Sequence, residues 1–81
     1  MKNDLFESKL EKIYKDYNVL KEHELIKRNP RLLLGKEQQL KNFDILVENR
    51  KSLSINQVQC LNEDLDKVGK ELQDLRKGMR L

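Results

Sequence analysis

The sequence contains few of the residues that build β-structure. Its 81 residues include two Phe, two Tyr and no Trp, with three Gly and one Pro. Sandwiches and barrels need many turn residues and bulky strand residues, so this composition disfavours an all-β fold. The single Cys excludes an internal disulfide, which is consistent with a reducing compartment.

Long apolar runs are also absent. No stretch of about 18 apolar residues suggests a membrane span, and the charged start, with Lys2, Asp4 and Glu7, is unlike a signal peptide. The net charge of +3 results from 17 basic and 14 acidic residues, and neither sign is concentrated in a tail. We therefore expect a soluble, intracellular, cytoplasmic protein that does not contact a membrane.

The composition instead favours long helices. Charged residues make up 38% of the chain, and Leu, Lys, Glu and Gln are abundant. The clearest pattern is a series of apolar residues at alternating gaps of three and four: Val58, Leu61, Leu65, Val68, Leu72, Leu75 and Met79. Such a repeat places one narrow apolar stripe along a helix, which must be buried against another helix.

The start of this helix is also defined by the sequence. Ser54 is the expected N-cap, Gln57 lies where its side chain can return the hydrogen bond, and Leu53 and Val58 occupy the positions of a hydrophobic staple. We predict that this third helix covers residues 55–79.

A first helix is predicted over about residues 4–28. Its apolar residues again alternate at gaps of four and three: Phe6, Leu10, Ile13, Tyr17 and Leu20. Glu24 occupies the next core position, so the stripe either ends near Leu20 or shifts to another face. Lys27 and Arg28 suit a last helical turn because cations are favourable at helix C-termini.

Asn29-Pro30 is the strongest helix breaker. Pro30 suits a first helical position, and Asn29 is the expected N-cap. The second helix therefore begins at residue 30, or at residue 36 after Gly35, and ends at residue 51; a kinked continuous helix is the alternative. Its predicted buried residues are Leu40, Phe43 and Val47, with Leu46 as a further candidate.

These patterns predict an all-α protein with a single small domain over residues 1–81. Three helices form an antiparallel bundle, or a helical hairpin or coiled coil that oligomerises. Leu65 and Leu72 would occupy position a and Val68 position d, so the third helix does not clearly specify a parallel dimer. An antiparallel partner within the chain, from either of the other helices, accounts for the stripe equally well.

No residues of the sequence suggest catalysis. There is no Ser/His/Asp set, glycine-rich phosphate loop or metal-ligand spacing, so we expect no enzyme activity, cofactor or metal. Cys60 lies beside the stripe rather than in it, and His23, the only histidine, lies on a polar flank. Both are expected to be ordinary surface residues.

The sequence therefore predicts a protein–protein interaction or oligomerisation module whose partner is a second copy or another helical protein. Its predicted interaction seam comprises Phe6, Leu10, Ile13, Tyr17, Leu20, Leu40, Phe43, Val47, Val58, Leu61, Leu65, Val68, Leu72, Leu75 and Met79. The alternative is a small nucleic-acid-associated regulator that uses the basic helix junctions, with Lys27, Arg28, Arg31, Arg50 and Lys51 contacting phosphates.

Residues 40–61 resemble the N-terminal helical region of the caprin family. The matching features are Leu40, Phe43 at an aromatic position, Leu53-Ser54 at a helix start, then Gln57, Val58, the small residue Cys60 and Leu61. This resemblance implies a self-associating helical scaffold connected with RNA-binding complexes. The family's Arg/Gly-rich RNA-binding tail has no counterpart in this sequence.

Overall fold

The computed structural model describes residues 5–80, and within this range it is helical without any strand. Four α-helices are present: α1 (Leu5–Glu22), α2 (Glu24–Arg28), α3 (Lys36–Glu48) and α4 (Ile55–Gly78). Two 3₁₀ turns, Pro30–Leu33 and Arg50–Ser52, precede and follow α3. The all-α prediction is confirmed, although the described part of the chain has four α-helices where three were expected. The predicted helix start at residue 4 lies outside the described residues.

The prediction of one continuous first helix was wrong, because the chain breaks at His23. This residue has an extended backbone (φ −73°, ψ 137°), and its Nδ1 atom accepts a hydrogen bond of 3.2 Å from the Leu25 N–H. The break allows Ile26 to reach the core, where it is 4% exposed, while Glu24 and Leu25 remain in solvent. The burial of Ile26 explains why the apolar series of α1 fails at Glu24.

The connection from α2 to α3 contains the predicted break. Helix α2 ends at Arg28, and Pro30 begins a 3₁₀ turn rather than an α-helix. Asn29 precedes that turn, but its side chain makes no capping hydrogen bond, contrary to expectation. Helix α3 begins only after Gly35, whose φ of +79° lies in the left-handed region that glycine adopts readily. It ends at Glu48, three residues before the predicted end.

The N-terminus of α4 forms the predicted capping box. Ser54 Oγ accepts a hydrogen bond of 3.2 Å from the Gln57 N–H, and the Ser54 N–H donates one of 2.9 Å to Gln57 Oε1. Leu53 packs against the core beside this cap. The helix ends at Gly78, one residue short of the prediction.

Contacts between the helices fix their directions. Lys9 of α1 contacts Asn62 and Asp66 in the first half of α4, and Asp16, later in α1, contacts Arg76 near the end of α4, so α1 and α4 are parallel. Helix α3 runs the opposite way, because its first residue, Lys36, pairs with Glu71 late in α4. Helix α3 is therefore the antiparallel neighbour of α4. Helix α1 is parallel to α4 and packs along most of the length of α4.

Gly69 of α4 lies where α1 and α4 pack together. A Cβ atom at this position would lie 3.6 Å from Ile13 Cγ1. The core around this contact is formed by twelve buried apolar residues from all four helices and the first 3₁₀ turn: Leu10, Ile13, Leu20, Ile26, Leu33, Leu40, Phe43, Val47, Leu61, Leu65, Val68 and Leu72.

Candidate interaction surface

The predicted interaction seam lies inside the chain's own core. Ten of its fifteen residues are buried: Leu10, Ile13, Leu20, Leu40, Phe43, Val47, Leu61, Leu65, Val68 and Leu72. Four more pack against them while remaining partly exposed: Phe6, Tyr17, Leu75 and Met79. Val58 is half-buried. Since these side chains are already packed together, a surface that binds a partner has to consist largely of other residues.

One group of exposed apolar side chains stands at the end of the molecule that holds the α2–α3 connection. We call Leu32, Leu34 and Leu75 the leucine patch, because all three line one cleft. Leu34 is 80% exposed and Leu32 is 41% exposed, while Leu75 is half-buried. Large apolar side chains grouped at the surface often mark sites of protein interaction.

The 3₁₀ turn explains this exposure. Leu33 lies between the two exposed leucines and is only 8% exposed. A 3₁₀ turn has three residues per turn, and the chain then leaves it at Leu34 with an extended backbone (φ −59°, ψ 129°). Three consecutive leucines therefore cannot all face the core. The sequence showed the triplet, but not which leucine would be buried.

The rim of the leucine patch carries charges of both signs. Lys36 Nζ lies 2.6 Å from Glu71 Oε2, and this pair joins α3 to α4 beside the cleft. Asp74 is exposed on the same rim. An apolar centre with a polar rim is the arrangement common to protein–protein interfaces.

The candidate nucleic-acid residues lie in two separate places. Lys27 pairs with Glu22 at 3.7 Å, Arg28 pairs with Glu24 at 3.0 Å, and Arg31 is exposed nearby. These residues are beyond the C-terminus of α1. The other two candidates are at the opposite end of a molecule 40 Å long: Arg50 contacts Glu7 in the first turn of α1, and Lys51 is its exposed neighbour. The five residues do not form one patch.

A buried ion pair joins α1 to α4, and the sequence reasoning missed it. Asp16 is only 3% exposed, and its Oδ1 atom lies 2.5 Å from Arg76 Nη1. The Arg76 Nε atom is buried without a hydrogen-bond partner among the described residues. A sequence signal for this contact exists, because Asp16 lies three residues after Ile13 and four before Leu20, on the flank of the apolar stripe.

Both tyrosines of α1 have raised pKa values. Burial raises the pKa of Tyr14 to about 12, assisted by the hydrogen bond that its hydroxyl donates to Asp44 and by the negative charge of that carboxylate. Burial also raises the pKa of Tyr17, and the charge of Glu37 adds to the effect. Both hydroxyls stay protonated at neutral pH, and the hydroxyl of Tyr14 joins α1 to Asp44 on the surface of α3.

The remaining candidate groups show no arrangement for chemistry. Cys60 is an exposed free thiol, and the ring of His23 caps α2. Among the described residues, no three His, Cys, Asp or Glu side chains are grouped as metal ligands. None of the described helices has the length and apolar character needed to cross a membrane.

Comparison with protein-family models, curated proteins and solved structures finds no match for this chain. The resemblance of residues 40–61 to the caprin family therefore stays a prediction. Function has to be argued from the surface of the chain itself, where three leucines, two of them exposed, are grouped in the cleft of the leucine patch.

Proposed function

We propose that this chain is a non-enzymatic protein–protein interaction module that binds a second copy or another helical protein through the leucine patch. The observation that supports this function is the exposure of Leu34, at 80%, beside Leu32 and Leu75 in one cleft. Burying an exposed leucine side chain provides roughly 1.5–3 kcal/mol. Association at this patch would therefore remove unfavourable apolar surface from water.

This proposal changes the residues that make the contact, while keeping the function predicted from the heptads. The stripe of α4 is packed against α1 and α3, so Leu65, at 1% exposed, has no surface to offer a partner. Of the predicted seam, Leu75 is the residue that also lines the leucine patch. The heptads build the module, and the α2–α3 connection supplies most of its contact surface.

The test compares Leu34→Asp with the unchanged chain by sedimentation velocity across a dilution series. Measurements at about 0.5 M salt, where the Debye length is only about 4–5 Å, screen contacts between charges. We expect the unchanged chain to sediment faster as its concentration rises and Leu34→Asp to remain a monomer. Circular dichroism should show the same helical content for both, because Leu34 is not part of the core.

Leu65→Asp is the matched control, since it places a charge in the core and should unfold the chain in any state of association. A chain that stays monomeric at every concentration would contradict self-association. A Leu34→Asp variant that associates like the unchanged chain would contradict the assignment to the leucine patch. RNA binding that Arg31→Glu and Lys51→Glu both weaken would favour the nucleic-acid alternative instead.

A further inference from the structure

Two clefts beside the α1–α4 contact each contain three basic side chains. One contains Lys9, Lys12 and Lys70, and the adjoining one contains Lys12, Lys15 and Arg76. Together they hold five basic and three acidic residues. We call Lys9, Lys12, Lys15 and Lys70 the lysine face.

Internal ion pairs neutralise only part of the lysine face. Lys9 Nζ lies 2.8 Å from Asp66 Oδ1, and Arg76 is paired with the buried Asp16. Lys12, Lys15 and Lys70 are exposed, and none of the three forms an ion pair within residues 5–80. Their positive charge is therefore directed to solvent.

The opposite charge lies in the cleft between α1 and α3. We call Glu7, Glu11, Asp44 and Glu48 the acidic face, and of the described basic residues only Arg50 lines the same cleft. Arg50 contacts Glu7 at 3.1 Å. Glu48 is exposed and has no ion pair with any residue in the described range.

Helix α1 contributes to both faces, because its two flanks carry different charges. Lys9 and Lys12 lie on the flank toward α4, and Glu7 lies on the flank toward α3. Glu11 lies between them and lines both the α1–α3 cleft and the cleft that contains Lys12 and Lys15. The apolar stripe of α1 separates these flanks and faces the core. One molecule therefore presents a basic surface and an acidic surface in different directions.

We propose that the lysine face of one copy binds the acidic face of a second copy. This inference rests on the proposed function, for which it names the partner and a second contact surface. Because the two faces are different parts of the same molecule, the contact is heterologous, and repeated contacts produce open chains or closed rings. The complement of the lysine face is present on the chain itself, and no aromatic side chain among residues 5–80 lines the basic clefts to stack on a nucleic-acid base.

The contact is expected to be weak and sensitive to salt. An exposed ion pair contributes only about 0.2–1 kcal/mol, and complementary charges mainly accelerate and orient association. The experiment therefore uses Leu34→Asp as the starting chain, which removes the leucine patch, and measures sedimentation at low and at high salt. We expect species larger than a monomer at low salt only.

Charge-reversal variants of the Leu34→Asp chain then test the two faces directly. Lys12→Glu with Lys70→Glu reverses the lysine face, and Asp44→Lys with Glu48→Lys reverses the acidic face. Each double variant alone should associate about tenfold more weakly, as the loss and reversal of two exposed pairs implies. An equal mixture of the two should associate again, because each intact face meets an intact complement.

Arg31→Glu with Lys51→Glu is the matched control, since it changes net charge by the same amount as the lysine-face variant but lies outside both faces. This control should associate as the Leu34→Asp chain does. A low-salt monomer, a control that loses association equally, or a mixture without recovery would overturn the inference. None of these results bears on the leucine patch, because its contribution is tested separately by the association of the unchanged chain at high salt.

Discussion

Two glycines show how single residues set the geometry of this fold in opposite ways. Gly35 has a φ of +79° and connects the first 3₁₀ turn to α3. Gly69 has an ordinary helical backbone and instead lies where α1 and α4 approach each other. The backbone conformation at position 35 requires glycine, whereas the packing around position 69 tolerates glycine without requiring it.

Substitution by alanine should therefore have opposite effects at these two positions. Gly69→Ala should stabilise the fold by about 0.5–1 kcal/mol, because alanine is the better helix former and its methyl group would lie 3.6 Å from Ile13 Cγ1, an ordinary contact. Gly35→Ala should destabilise the fold by about 1–2 kcal/mol through its left-handed backbone. Urea unfolding followed by circular dichroism measures both. Destabilisation by Gly69→Ala would show that α1 and α4 cannot accommodate a methyl group.

At the scale of elements, helix ends decide where each segment can bury its apolar side. The Ser54 cap starts α4 so that Leu61, Leu65 and later core residues face inward along the whole helix. The break at His23 separates two short stripes that one straight helix cannot bury together. Helix ends are therefore as important as the apolar repeats in deciding which side chains are buried.

Ser54→Ala tests the contribution of the α4 cap. We expect the free energy of unfolding to fall by about 1 kcal/mol, because the Gln57 N–H at the first turn loses its acceptor. Ser52→Ala is the matched control: Ser52 is exposed, and its side chain has no hydrogen bond to any other residue in the described part of the chain. Thermal and urea unfolding should separate the two variants. Equal stabilities would mean that the capping box contributes nothing measurable.

For the whole molecule, side chains that join the helices also make its stability depend on pH. Tyr14 of α1 donates its hydroxyl hydrogen bond to Asp44 of α3, and its pKa rises from 10.0 to about 12. The folded state therefore retains a proton that the unfolded state loses between these values. This contribution to stability is fully present below pH 10 and is lost as the pH rises toward 12.

Tyr14→Phe should make the stability fall less steeply between pH 10 and 12 than in the unchanged chain. The remaining fall includes Tyr17, whose pKa is also raised. Urea unfolding at several pH values measures the slope, and the absorbance of tyrosinate reports the titration directly. Identical slopes for the two proteins would contradict a raised pKa at Tyr14.

Local sequence patterns determined the helical class, the Ser54 cap, the break near Pro30 and most core residues. These features depend on backbone preferences and on the periodicity of neighbouring side chains, which a sequence displays directly. The sequence also displays three consecutive leucines at residues 32–34, but it does not identify Leu34 as the most exposed of them.

Tertiary structure alone decided which helices pack together, in which direction, and which apolar side chains remain exposed. The parallel packing of α1 and α4, the pairing of Asp16 with Arg76 sixty residues later, and the separation of the lysine and acidic faces all depend on residues far apart in the chain. A heptad stripe predicts that its apolar side chains are buried, but it does not predict which helix covers them, because any complementary apolar helix can do so equally well. Here α1 and α3 bury that stripe, and the leucine patch remains at the surface.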